Sequence, residues 1–148
     1  MLETALGVVL LIVCLCLGYL AFRRVRLMRG GGVDLSLRRR PAAVSPPRDA
    51  SAGWHAGVGR YRGDCMEFHR LTSFRPGASI ALDRTELEIL DRREPVGAET
   101  YVMPAASAVL HCRSRGADVE LAMTPGVLTG FLAWLEAAPP GQGYRQAS

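Results

Sequence analysis

Residues 119–138, VELAMTPGVLTGFLAWLEAA, change their period midway and thereby decide the fold. Val119, Leu121 and Met123 alternate with Glu120, the period of a half-buried strand, and Val127, Leu128, Phe131, Leu132, Trp134 and Leu135 then recur at helical spacing. Thr124 is a preferred N-cap and Pro125 a tolerated first helical residue, so a helix is expected over 125–138, stopping before Pro139, Pro140 and Gly141. Phe131, Trp134 and Leu135 head its apolar stripe. Its polar face carries only Thr129 and Glu136 and no arginine, which favours packing on a core over lying on a membrane.

Upstream, short segments alternate with turn signals roughly every ten residues, the pattern of an antiparallel β domain. Strands are expected over 54–61, 65–74, 79–82, 87–93, 101–103, 108–113 and 119–123, with turns at Arg62-Gly63-Asp64, Arg75-Pro76-Gly77 and Ser114–Ala117. Residues 41–53, rich in Pro, Ala and Ser, are expected as loop. Val33, Leu35 and Leu37 alternate with Asp34, Ser36 and Arg38, which leaves a first strand and a basic linker both open. About six to eight antiparallel strands closed by one C-terminal helix resemble the pleckstrin-homology-like barrel, in which such a helix plugs one open end.

At the other end lies TALGVVLLIVCLCLGYLAF, residues 4–22, nineteen residues without a charge. At about 1.5 Å per residue it reaches roughly 28 Å, close to a bilayer core. A signal peptide wants a basic start and a small-residue end; here Glu3 precedes the run, and Phe22, Arg23, Arg24, Arg26 and Arg29 follow it. The arginine bias puts the N-terminus outside the plasma membrane and the rest in the cytoplasm. The expected organisation is a transmembrane helix over 4–22, a basic, Gly-rich juxtamembrane segment over 23–32 whose Gly30, Gly31 and Gly32 stop the span helix, a β domain over 33–141 and a disordered tail over 142–148.

All eighteen basic residues are arginine, and the net charge is +4. The charge is concentrated: residues 23–48 carry a net +7, whereas residues 49–148 carry −2. That argues against a nucleic-acid surface on the domain and places Arg23, Arg24, Arg26 and Arg29 where anionic lipid headgroups lie. Cys14 and Cys16 fall in the span, and Cys65 and Cys112 in a reducing compartment, so free thiols are expected.

No catalytic, metal or cofactor site is expected. Cys65 and His69 lie four apart on a strand, and adjacent His111 and Cys112 point to opposite faces, neither being zinc-ligand spacing. No G-x-S-x-G elbow occurs, and Gly57 and Gly59 sit in a hairpin rather than opening a helix. Arg60 and Arg62 make the first hairpin a candidate headgroup site, although Asp64 and Glu67 stand beside them, and Arg92, Arg93 and Glu94 read as a charged strand end. The expected function is a non-enzymatic interaction or scaffold module at the inner membrane face that binds a protein partner, with anionic-lipid binding through the juxtamembrane arginines and the Arg60/Arg62 hairpin as the alternative. A metal-dependent enzyme is the remotest reading.

The span with Arg23 and Arg24, Gly53-Trp54, RYRGD at 60–64, Arg92-Arg93 and above all ELAMTPGVLTGFLAWLEAAPPG at 120–141 make the chain resemble a family of actinobacterial single-span membrane proteins. That family is known as a domain of unknown function and is commonly encoded beside ATP synthase subunits. The resemblance implies architecture and brings no activity, cofactor or catalytic residue.

Overall fold

The computed structural model describes residues 1–40 and 51–137. Most of the loop expected over 41–53 lies outside these residues, as do Ala138 and the tail expected over 142–148.

The first helix, α1, runs over Leu2–Arg29 and ends at Gly30. It continues past Phe22 through Arg23 to Arg29, where nothing breaks a helix, and stops at the three glycines, as the sequence leads one to expect. α1 is long and apolar enough to cross a membrane, a property that membrane anchors and signal sequences share, and none of its apolar window is buried.

Seven strands follow: β1 (Val33–Arg40), β2 (His55–Arg62), β3 (Cys65–Arg70), β4 (Ile80–Asp83), β5 (Leu87–Arg93), β6 (Ala108–Ser114) and β7 (Ala117–Met123). Together they form one antiparallel sheet in the order β4-β3-β2-β1-β7-β6-β5. The alternation at Val33 is therefore a strand, and a central one. The sheet curls into a half-barrel, because Phe68 of β3, Leu82 of β4, Leu35 of β1, Leu121 of β7 and Cys112 of β6 meet in one core. Gly57 permits the curl: a Cβ there would lie 2.4 Å from the Phe68 ring and 2.5 Å from the His69 carbonyl oxygen.

The closing helix, α2 (Pro125–Glu136), covers the concave face, with Leu128 and Phe131 buried and Trp134 and Leu135 packed beside them. Trp134 Nε1 donates to the Gly63 carbonyl at 2.9 Å, its ring packs on Tyr61, and Arg84 donates to the Trp134 carbonyl at 3.1 Å. Thr124 caps through its backbone carbonyl, which accepts from Leu128; its side chain makes no capping bond.

Three expectations change on the convex face. The strand expected over 101–103 is absent; Gly97–Tyr101 form a short 3-10 helix instead, because the Glu99 carboxylate accepts from the Val96 amide at 3.0 Å and curls the segment. Met103 then covers Trp54, Val109 and Ala122 in a second, smaller core. Glu120, expected to face solvent, lies 1% exposed under this cover. Arg93 is no exposed strand end: β5 carries a bulge between Ile89 and Asp91, after which Arg93 pairs with Val109 and faces Glu120.

Candidate functional site

Strand register puts Arg60 opposite Glu67, and Val58 opposite His69, all on the convex face of β2 and β3. The last two turns of α1 lie across this face and hold to it by two devices. Leu27 is buried, and Gly32 fits between it and Val58, where a Cβ would stand 2.5 Å from Val58 Cγ1 and 2.6 Å from the Leu27 carbonyl oxygen. Arg23 supplies the second: Nη1 donates to the carbonyls of Arg70, at 2.8 Å, and Ser73, and Nη2 donates to that of Arg75 at 3.0 Å.

Between helix and strands lies an open cleft of about 450 Å³ lined by Arg23, Arg26, Arg60, Arg62, Glu67 and His69, with Tyr19 and Phe22 at its edge. Four arginines thus face one glutamate. The two sequence-derived groups, juxtamembrane and hairpin, meet here in part. Arg24 turns aside to pair with Asp34 at 3.0 Å. Arg29 is exposed and does not line the cleft.

Charges that looked balanced in the sequence are not balanced in space. Asp64 is drawn off by Arg84 at 2.5 Å, and Glu67 is engaged by Arg62 at 3.3 Å. Among the described residues Arg26 and Arg60 have no ion-pair or hydrogen-bond partner, and the Arg60 guanidinium rests over Gly30, where α1 presents its negative end. His69 is 8% exposed; its Nδ1 lies 3.1 Å from the Gly77 carbonyl oxygen, and its buried Nε2, 3.7 Å from Glu67, has no hydrogen-bond partner among the described residues. Such a cleft suits a group that is anionic and accepts several hydrogen bonds.

The other charged constellation on this face was missed from the sequence. Arg38 Nε donates to Glu120 Oε2 at 2.7 Å, and its Nη2 to the same oxygen and to Glu99 Oε1 at 3.3 Å. Arg93 holds Glu99 through two bonds, at 2.6 and 2.8 Å, and reaches Glu120 at 3.1 Å. The Arg38 guanidinium lies 4.7 Å from the Trp54 ring centroid, and Trp54 Nε1 donates to Glu99. The Arg93 bonds first, then the Val96 amide and Trp54 Nε1, hold the Glu99 carboxyl down at about 2 against the cost of burial. Arg38, Glu99 and Glu120 are nearly dry, and Arg93 and, at 3.9 Å from Glu120, Arg40 close the network toward solvent. Its partners are up to 82 residues apart in the chain, so no local pattern announces it.

His111 is tied to Asp118 at 3.1 Å, while burial pushes the neighbouring Cys112 thiol, in the concave core, up to about 12. Among the described residues no three His, Cys, Asp or Glu side chains come together as a metal site.

A family model described as "Protein of unknown function (DUF2550)" matches residues 9–141. The chain is 37% identical over 147 residues to "Uncharacterized protein Rv1312" of Mycobacterium tuberculosis (strain ATCC 25618 / H37Rv), covering 96% of each chain. It is 36% identical over 146 residues to "Uncharacterized protein ML1147" of Mycobacterium leprae (strain TN), covering 95% of each. No solved structure matches, so what is shown of the fold is a curled antiparallel sheet with a closing helix, and no comparison extends it to a pleckstrin-homology-like barrel.

Proposed function

From a chain that belongs to the DUF2550 family of proteins of unknown function, we propose a membrane-anchored, non-enzymatic module whose β domain is held at the inner face of the plasma membrane and takes anionic lipid headgroups into the basic cleft. The observation that carries this reading is the convergence of Arg23 and Arg26 from α1 with Arg60 and Arg62 from the hairpin on one cleft, at the end of an apolar helix. Such a helix delivers the cleft to the headgroup layer, where each arginine contributes up to about 1 kcal/mol of attraction. Retention of the helix is supported by its last turns: Leu27 and the Arg23 clamp are built into the domain, and removing them would strip the convex face. The non-enzymatic part is supported by the reactive groups, since Cys112 is an inert core thiol and His111 is engaged with Asp118.

Native mass spectrometry of the full chain ejected from nanodiscs of mixed phosphatidylcholine and phosphatidylglycerol tests this. Retained phosphatidylglycerol is expected, and its loss in the double variant Arg26→Gln, Arg60→Gln. Equal retention of the two lipids overturns the headgroup reading. An N-terminus found after the apolar run, or phosphatase activity from a fusion at residue 148, overturns the anchor and its orientation.

A second reading, a protein partner, has its own observation. β5 is an end strand whose outer side is unpaired among the described residues, and Ile89 and Leu90 stand exposed on it, a surface that accepts an added strand. Photo-crosslinking from Leu90 in native membranes is expected to capture a polypeptide; a yield of lipid alone dismisses that reading.

A further inference from the structure

The loop between β3 and β4 carries Phe74, 57% exposed, in the polar run Thr72-Ser73-Phe74-Arg75. Its ring is stacked on Tyr19 of α1, with centroids 6.1 Å apart and planes 15° from parallel. Tyr19 is itself 44% exposed and Phe22 66%, so the three rings leave a large aromatic surface uncovered at one place. In water that arrangement wastes apolar area; at the boundary between headgroups and acyl chains, aromatic rings are favoured.

Depth follows from the helix. Tyr19 lies four residues before Arg23, so about 6 Å deeper along the axis. Phe74, stacked on it, sits at the same level, on the lipid side of the arginines. A loop at that level must bring its backbone groups already paired, because the bilayer edge supplies few donors. This one brings four of them paired: Arg23 satisfies the carbonyls of Arg70, Ser73 and Arg75, and Ser73 Oγ accepts from the Arg75 amide at 3.3 Å. Arg75 follows directly with its side chain exposed, placing a cation behind the aromatic tip at headgroup height.

We propose that residues 73–76 form a second membrane contact, a wedge in which Phe74 enters the headgroup–acyl boundary beside Tyr19 and Arg75 pairs with phospholipid phosphate. This rests on α1 being a retained membrane anchor. With two contacts instead of one, the domain and the last turns of α1 packed on it are held at a fixed tilt to the bilayer, and the cleft, walled on one side by Pro76 and Gly77, stays beneath the headgroups.

The test uses the full chain in vesicles, with Phe74→Trp compared against the wild type so that Trp54 and Trp134 are subtracted. The added emission is expected to be blue-shifted, quenched several-fold more by lipids brominated near the top of the acyl chain than by deeply brominated ones, and weakly quenched by acrylamide. Added emission that acrylamide quenches freely and brominated lipid of either kind leaves untouched overturns the wedge. Phe74→Asp gives an independent readout: protection of the 71–79 amides from hydrogen exchange by vesicles, relative to detergent, is expected to fall with the sheet unaffected, and undiminished protection likewise overturns the wedge. A chain that fails to float with vesicles is a different outcome, since it removes the anchor itself.

Discussion

Arg38 and Arg60 stand on the same face of the same sheet, each opposite a glutamate in strand register, and end in opposite conditions. Arg38 faces Glu120 under the 94–107 crossover, with Glu99 and Trp54 completing its shell, and is 6% exposed. Arg60 faces Glu67, but Arg62 takes that carboxylate and the Arg60 guanidinium is left at an open cleft. What an arginine does here is set by what lies over the strand, not by the strand. Under a lid that brings its own carboxylate it becomes structure; under a helix that brings more arginine it is left without a carboxylate among the described residues.

The sharpest way to break this contrast is to remove Glu120. Arg38 and Arg93 would then share Glu99 alone, and a buried charge without its partner costs about 3–5 kcal/mol. Urea unfolding of the full chain in micelles, followed by Trp54 fluorescence, should show Glu120→Ala losing that much. A loss below about 1 kcal/mol would mean water screens the network as it screens surface pairs, and the two regions would not differ in kind. The double variant Arg38→Met, Glu120→Leu is expected to cost less than Glu120→Ala, because no charge is stranded.

Acid gives the next effect. The Glu99 carboxyl titrates at about 2 against an ordinary value of 4.5. With its folded value depressed, its contribution is complete above about pH 4.5 and disappears as pH falls toward 2, up to about 3 kcal/mol in all. Glu99→Gln should flatten the stability curve in that window and lower it above. An unchanged curve would show the Arg93 clamp to be loose.

The network was invisible in the sequence for a definite reason. Periodicity gave Ser36, Arg38 and Glu120 correctly to one face and Leu35, Leu37 and Leu121 to the other, and polarity then suggested that the first face is wet. Whether a polar face is wet depends on what crosses it, here a segment 60 residues further along whose helical turn is made by Glu99 itself. Arg93 was hidden by the one-residue bulge that reverses the facing of the last three residues of β5. The elements with local signals were legible: α2 from Pro125 and its apolar spacing, the end of α1 from three glycines, the β6–β7 hairpin from SRGA. In the cleft, the residue types were legible and their freedom was not, since Asp64, two residues from Arg62 in the chain, pairs with Arg84 beside it at the end of β4.

A smaller effect separates the two regions. Gly32→Ala drives a Cβ against Val58 and the Leu27 carbonyl, and overpacking of this kind costs about 1–3 kcal/mol. Because α1 can yield by lifting its last turns, the cost should appear as faster amide exchange at residues 27–33 with the Glu120 region unchanged. Faster exchange in both would show that the cleft and the network are one cooperative unit.

The smallest expected effect is the most informative about role. Arg60 donates to nothing among the described residues, so Arg60→Gln should alter unfolding free energy by no more than about 0.5 kcal/mol, the range of an unremarkable surface change. If the cleft holds an anionic headgroup, the same substitution weakens that association by up to about 1 kcal/mol, roughly fivefold. The two numbers diverge only if the guanidinium is kept for something outside the fold. If offsetting the dipole at the C-terminal end of α1, over which it rests, were all that Arg60 does, stability would fall and lipid retention would follow it in proportion. Arg62→Gln sharpens the point, because it frees Glu67 to turn toward Arg60. A drop in headgroup retention larger than that of Arg60→Gln is therefore expected, since one change removes a cation and releases a carboxylate into the same cleft.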